Sequence, residues 1–257
     1  MFDTHCHLNS SRFKKDVDTV IQNAVSSGVK YFVVPGYTIA SSKRAITIAE
    51  KYSEVFAGVG IQPTEMDTRH KTSVADYVAS EIIKLRQLLE SSSKSIVAIG
   101  EIGLNRYNGQ NKMIFAMQKP LFIAQLAVAR EYNKSVIIHN RGATEEMLEI
   151  LNKPSFAKAS HSAKASRDKL AGKVVFHCCE ADSKLLQFAI NHKIFIGVDG
   201  DVTYNEKKQE FVKKISSLKV ESKGFEADSF ALKKSTLTRN GPIYEDVARF
   251  EMMSEIC

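Results

Sequence analysis

Residues 3–8 read DTHCHL. On a β-strand, side chains at i and i+2 point to the same face. Asp3, His5 and His7 would then share one face, with Thr4 and Cys6 on the other. Two imidazoles on one strand face can reach a single metal ion, and neutral imidazole is a common ligand for zinc and similar metals. The same spacing also fits a polar strand end with two solvated histidines. Ligands elsewhere in the chain have to decide between the two.

Such groups stand at the C-terminal ends of later strand-like runs. AIGEIGL carries Glu101, VIIHNR carries His139, VVFHCC carries His177, and FEADS carries Glu226 and Asp228. The intervals from Glu101 to His139 and from His139 to His177 are both 38 residues, a reasonable βα repeat, so the three are expected at equivalent heights on successive strands. His70, His161 and His192 fall in a loop, a basic linker and a helix end, and read as ordinary surface or packing residues. Glu101 follows an apolar run, where a buried, unpaired carboxylate would be costly. A position between two cations removes that cost. His5, His7, Glu101, His139, His177 and Asp228 are too many ligands for one tetrahedral zinc and suit two metals. Two ions about 3.5–4 Å apart can clamp a phosphate, generate hydroxide and stabilise the leaving oxygen. The assignment is His5, His7, Glu101 and Asp228 around one ion and Glu101, His139 and His177 around the other. Asp228 could also orient the attacking water and accept its proton, which makes Asp228 and Glu101 the catalytic carboxylates. Zinc, magnesium or manganese could serve, and a His-rich site favours zinc over magnesium.

Something must bring these ends together. Apolar runs at 1–5, 31–36, 55–61, 95–103, 135–140, 173–178, 194–200 and 224–228 read as eight strands. Helical patterns lie between most of them. VDTVIQNAVSSG ends on Gly28 as a C-cap, VADYVASEIIKLRQLLE and IFAMQKPLFIAQLAVAREY are longer, and TEEMLEILN is short. Pro120 marks a kink or break in the third. Eight strands mostly followed by helices point to an α/β fold, a (β/α)8 TIM barrel. A doubly wound open sheet is the competing topology. Ligands from the first and last strands must converge, which favours closure. No Pro/Gly-rich boundary divides residues 1–257, so a single domain is expected, with a basic low-complexity linker at 152–173 on the barrel face away from the site.

Composition bounds the function. The chain has 257 residues, 44% of them hydrophobic, with no apolar run near the roughly 20 residues that span a bilayer. The N-terminus lacks the basic and apolar regions of a signal peptide. No membrane association and a cytoplasmic location are therefore expected. Cys6, Cys178, Cys179 and Cys257 form no disulfide framework and read as free thiols, with at least one of the adjacent pair in packing. The formal charge is +7, but residues 152–173 hold six Lys/Arg against one Asp. Global charge is thus poor support for nucleic-acid binding.

DTHCHL, GEIGL (100–104), IHNR (138–141), FHC (176–178), EADS (226–229) and RNGP (239–242) occur in the order and spacing of a known family. On these motifs the chain resembles the TatD family of metal-dependent deoxyribonucleases, amidohydrolase-like barrels. The resemblance implies a TIM barrel, a divalent-metal centre, and hydrolysis of DNA phosphodiesters, often 3′-to-5′ on single strands. All six positions matching the family's ligands are retained. Around them the sequence departs. Gln62 stands where the family has a histidine near the substrate phosphate, and its amide can donate a hydrogen bond but adds no charge. Asn105 replaces an aspartate, and Cys179-Glu180-Ala181 replaces Phe-Ser-Gly. Ala227 stands for a threonine, Phe230 or Ala231 for a proline, and Gly241 for a glutamate. The chain stops at Cys257, early for the family's last helix, so a shortened C-terminal helix is expected. Arg141 is the cation for phosphate contact, or else the partner of Glu145 or Glu146. The leading expectation is a DNA phosphodiesterase. The alternatives are an amide or ester hydrolase, such as an aminoacyl-tRNA deacylase, and a catalytically weakened metal-binding relative.

Overall fold

A computed structural model of the chain describes residues 2–66, 73–92, 94–106, 112–153, 173–177, 179–197, 205–217, 237–238 and 241–242. Seven strands form one parallel sheet in sequence order: β1 (Phe2–Asp3), β2 (Tyr31–Pro35), β3 (Val55–Val59), β4 (Ile96–Asn105), β5 (Ser135–Arg141), β6 (Val174–His177) and β7 (Phe195–Ile196). The helices between them are α1 (Val17–Ser26), α2 (Ile39–Lys51), α3 (Val74–Ser91), α4 (Lys112–Glu131), α5 (Thr144–Leu151) and α6 (Ser183–His192), and α7 (Glu206–Ser217) follows β7. Two short strands, β8 (Leu237–Thr238) and β9 (Gly241–Pro242), pair antiparallel, and β9 is the Gly-Pro of the RNGP motif. The strand expected at 224–228, most of the 152–173 linker and the C-terminal helix lie outside the described residues.

The sheet is strongly curled. β1 and β6 are five strands apart in its order. In a flat sheet about 4.8 Å per strand would separate them by roughly 24 Å. Yet the rings of His5 and His177, at the ends of these two strands, stack with centroids 3.4 Å apart. The fold is therefore α/β with a curled sequential parallel sheet, as the alternation of apolar runs and amphipathic stretches implies.

Each strand buries two faces, which explains the near-continuous apolar runs. The outward residues Phe32, Val34, Ile99, Val136, Ile138 and Phe176 pack in the main core with Leu85, Leu89, Phe122 and Met147 of the helices. The inward residues Val33, Ala98 and Ile137 form a separate cluster lined by Phe56 and Val175. By strand alternation His139 stands two residues above Ile137 and His177 two above Val175, so the inner layer is the floor of the site.

α4 runs unbroken through exposed Pro120, where the sequence suggests a kink or break. Leu121, Phe122 and Leu126 are buried on both sides of the adjacent turn and hold it. α2 is absent from the sequence reading. Its N-terminus is a capping box in which Thr38 accepts from Ser41 N–H.

Candidate metal centre

Glu101 is at the centre, 3% exposed, and a local irregularity puts it there. Ile99 pairs with Val136 and Ile102 with Ile138, so three steps on β4 match two on β5. The extra residue is a β-bulge. Ile99 and Ile102 both face the helices, although regular alternation would place them on opposite faces. The bulge thereby turns Glu101 inward, on the side of Ala98. Its N–H donates to Gly36 O at the end of β2, at 2.7 Å. Two residues on, Gly103 has φ +148, and a Cβ there would lie 1.9 Å from His139 O. Only glycine lets β4 and β5 approach so closely at this level. His139 and His177 are register partners, as their spacing implies, but the partner of His139 on β4 is Gly103 rather than Glu101. The bulge displaces Glu101 from the equal-height position, and its side chain still reaches the histidines.

Four imidazoles surround the carboxylate. His5 Nε2 and His7 Nε2 each lie 3.6 Å from Glu101 Oε2, and 3.1 Å from one another. His139 Nδ1 lies 2.8 Å and His177 Nε2 3.8 Å from Glu101 Oε1. Each carboxylate oxygen thus has its own pair of histidines. Around a tetrahedral ion with bonds near 2.0–2.1 Å, ligand atoms stand about 3.3 Å apart. The spacings in the cluster are of that size. His5, Glu101 and His177 also bring one ligand atom each within 4.8 Å of one another. His5 Nδ1 is buried and has no hydrogen-bond partner.

The charges suit a cation. Burial, with the neighbouring His177 adding to it, pushes His5 down to about 4, so it is a neutral lone-pair donor at neutral pH. Burial alone would raise Glu101, but hydrogen bonds from His139 and His5 and the nearby histidine charges hold it well below its ordinary value. A buried carboxylate ringed by imidazoles is a donor set that fits a divalent metal.

Asp3 does not join this face. β1 ends at Asp3, and its Oδ1 accepts from His5 N–H at 3.0 Å, so it anchors the turn that aims His5. Asp228 and Glu226, like His70 and His161, lie outside the described residues. His192 closes α6 with its ring against Phe188, in packing. Cys6 and Cys179 are buried, and their thiols donate to Val33 O and Glu180 O. Gln62 caps the turn Pro63–Glu65: its Oε1 accepts from Thr64 N–H at 2.8 Å. Glu145 pairs with Lys184 and Glu146 with Arg106, and Arg141 ends β5 exposed. Glu180 accepts from Gly142 N–H at 3.0 Å, beside Arg141.

Three positions escape sequence reasoning. Tyr37 sets its ring edgewise against His7, centroids 5.4 Å apart, with its hydroxyl near Arg44. Gln118 and Gln125, one on each side of Pro120, are buried glutamines on α4. Gln118 Oε1 accepts from Asn105 N–H at 2.8 Å, and Gln125 bonds both the N–H and the C=O of Ile61. Two polar residues seven apart on the apolar face of a helix are the signal that could have found them.

The profile of the family described as TatD related DNase matches residues 2–252. The chain belongs to the TatD family. Among TatD relatives, the uncharacterized metal-dependent hydrolase YabD of Bacillus subtilis is 29% identical over 217 residues, which span 84% of this chain and 75% of YabD. The 3′-5′ ssDNA/RNA exonuclease TatD of Escherichia coli is 31% identical over 201 residues, spanning 78% of this chain and 67% of the relative. The solved structure of the TatD homologue YjjV from E. coli, at 26% identity, has a TM-score of 0.68 over 85% of this chain and 74% of YjjV. Of the TatD motifs read from the sequence, GEIGL lies in β4, IHNR spans the end of β5, and FHC begins in β6.

Proposed function

We propose that this TatD chain is a divalent-metal-dependent nuclease, a 3′-5′ exonuclease on single-stranded DNA. The observation that carries the reading is the Glu101 carboxylate with one histidine pair at each oxygen. His5 and His7 with Glu101 Oε2 would hold one ion, joined by Asp228, and His139 and His177 with Glu101 Oε1 would hold the other. When bound, the ions supply a hydroxide at neutral pH and neutralise charge developing on the phosphate. The chain's own residues do the rest. Buried Glu101 fixes the separation of the two histidine pairs. Neutral His5 offers a lone pair without first losing a proton. His7, whose side chain is 36% exposed against 4% for Glu101, lies on the side from which substrate enters. Asp228 orients the attacking water and takes its proton. Arg141 grips phosphate oxygens at the rim, and the Gln62 amide N–H group donates to the same phosphate.

A second reading, hydrolysis of an acyl ester or amide, is favoured by one observation: the Glu180 carboxylate beside Arg141 places negative charge near where a phosphate would sit. One experiment separates the two. Metal-stripped protein is re-supplied with Zn, Mg or Mn and mixed with a 5′-labelled single-stranded oligonucleotide, beside His5→Ala. A metal-dependent ladder of shortened products, lost in the variant, supports the exonuclease. Folded, metal-loaded protein that cleaves acyl esters and leaves the oligonucleotide intact supports the second reading.

A further inference from the structure

Tyr37 and Arg44 stand beside the histidine cluster, and the chemistry proposed above does not use them. Tyr37 follows β2 and is half-buried, while Arg44 lies on α2 and is exposed. The Tyr37 ring packs against His7, centroids 5.4 Å apart, and His7 is the most exposed of the four histidines. The tyrosine hydroxyl lies 3.3 Å from Arg44 Nη2. Both side chains are held by the rim around them. Arg44 Nε donates to Asn9 O at 2.8 Å, and the buried Asn9 side chain donates to Pro35 O and Ser41 O. Tyr37 N–H donates to Ser41 Oγ, and Tyr37 O accepts from Gln62 N–H at 3.0 Å. Among the described residues, Arg44 bonds a carbonyl oxygen and a hydroxyl, not a carboxylate. Its planar fork has five donors and so keeps some for an anion.

We propose that Tyr37 and Arg44 form a stacking subsite for single-stranded DNA. A flat ring next to a held guanidinium suits a nucleotide: the base stacks on the ring and the phosphate meets the cation. His7 belongs to the cluster, Tyr37 touches His7, and Arg44 touches Tyr37. The strand therefore runs out along that line, and the subsite holds a nucleotide neighbouring the one whose phosphate reaches the cluster. A base inside a duplex is covered on both faces and must leave its stack before it can lie on Tyr37. The subsite thus favours single strands, and because every base has a π-face it accepts any sequence.

This inference rests on the nuclease reading and names residues that would recognise its substrate. The test uses full-length protein. Binding of a fluorescein-labelled single-stranded oligonucleotide is followed by anisotropy in the presence of a chelator, so that the strand stays intact. The wild type is compared with Tyr37→Phe, Tyr37→Leu and Arg44→Ala, each checked by circular dichroism. Tyr37→Leu keeps apolar bulk and removes the flat ring. It should raise Kd about 5–150-fold, the range for loss of one base stack, and Tyr37→Phe should stay close to the wild type. The same titrations use strands that lack the base at one position at a time. At one position the missing base should cancel the difference between wild type and Tyr37→Leu. Arg44→Ala should lower the slope of log affinity against log salt by about 0.7, the value for one phosphate contact on a single strand. Equal affinities in the wild type and Tyr37→Leu, or a loss that is the same whichever base is missing, overturns the proposal alone. So does a wild type that cleaves the oligonucleotide with zinc and does not bind it in chelator. A folded wild type that neither binds the strand in chelator nor cleaves it with Zn, Mg or Mn overturns the nuclease reading, and this proposal with it.

Discussion

At the residue scale the centre depends on one carboxylate. Glu101→Gln keeps the shape and removes the charge that four histidines surround. Even residues behind a ligand cost about 10–100-fold in metal affinity, so the direct substitution should cost at least about 100-fold. Isothermal titration with zinc on the folded variant checks this, and unchanged affinity would remove Glu101 from the centre. Gln62→Ala separates two roles of another residue. Loss of its cap to Thr64 should lower stability by about 0.5–2 kcal/mol in urea unfolding. A raised KM for oligonucleotide with unchanged kcat would add the phosphate contact, and an unchanged KM would leave only the cap. Much of this level is legible in the sequence. His5, His7, Glu101, His139 and His177 converge as their residue types and strand-end positions imply. Asp3 is misjudged because alternation describes a strand that continues, and β1 stops at Asp3.

At the element scale the bulge in β4 decides the geometry. Regular alternation would send Glu101 to the helix side with Ile99, and nothing in the hydrophobic pattern announces the extra residue. The glycines of GEIGL are the legible trace of it. Gly103→Ala would force a side chain onto His139 O and into a backbone region that alanine avoids. It should cost more than about 1 kcal/mol in thermal unfolding and weaken metal binding together with stability. A stable variant with normal metal affinity would show that the close approach of β4 and β5 is not needed. α2 escapes sequence reading for a physical reason: it buries Ser41, Ser42 and Ala45, small residues that pack closely and give little apolar contrast.

At the scale of the whole molecule, curling the sheet is what makes a site. It brings the ring at the end of β1 onto the ring at the end of β6, and no local pattern contains that contact. The order of the strand-like runs does contain the topology, and the seven strands follow it in sequence. Membership of the TatD family accords with the motif order. Because the proposed metal ligands come from β4, β5, β6 and the segment after β1, metal should bind the folded chain and not the unfolded one. Zinc at 100 times its Kd should then add about 2.7 kcal/mol. For a chain of this size that is roughly 5–10 °C in Tm. Scanning calorimetry with and without zinc reads it directly, and an unmoved Tm would mean that the ligands do not act together.

The central claim is that Glu101 lies between two metal positions, each with its own histidine pair. Anomalous diffraction at the zinc edge, from crystals grown with zinc, tests it most directly. The account predicts two peaks flanking the Glu101 carboxylate, one beside His5 and His7 and the other beside His139 and His177. A zinc-loaded, catalytically active crystal with no peak at that carboxylate would contradict it.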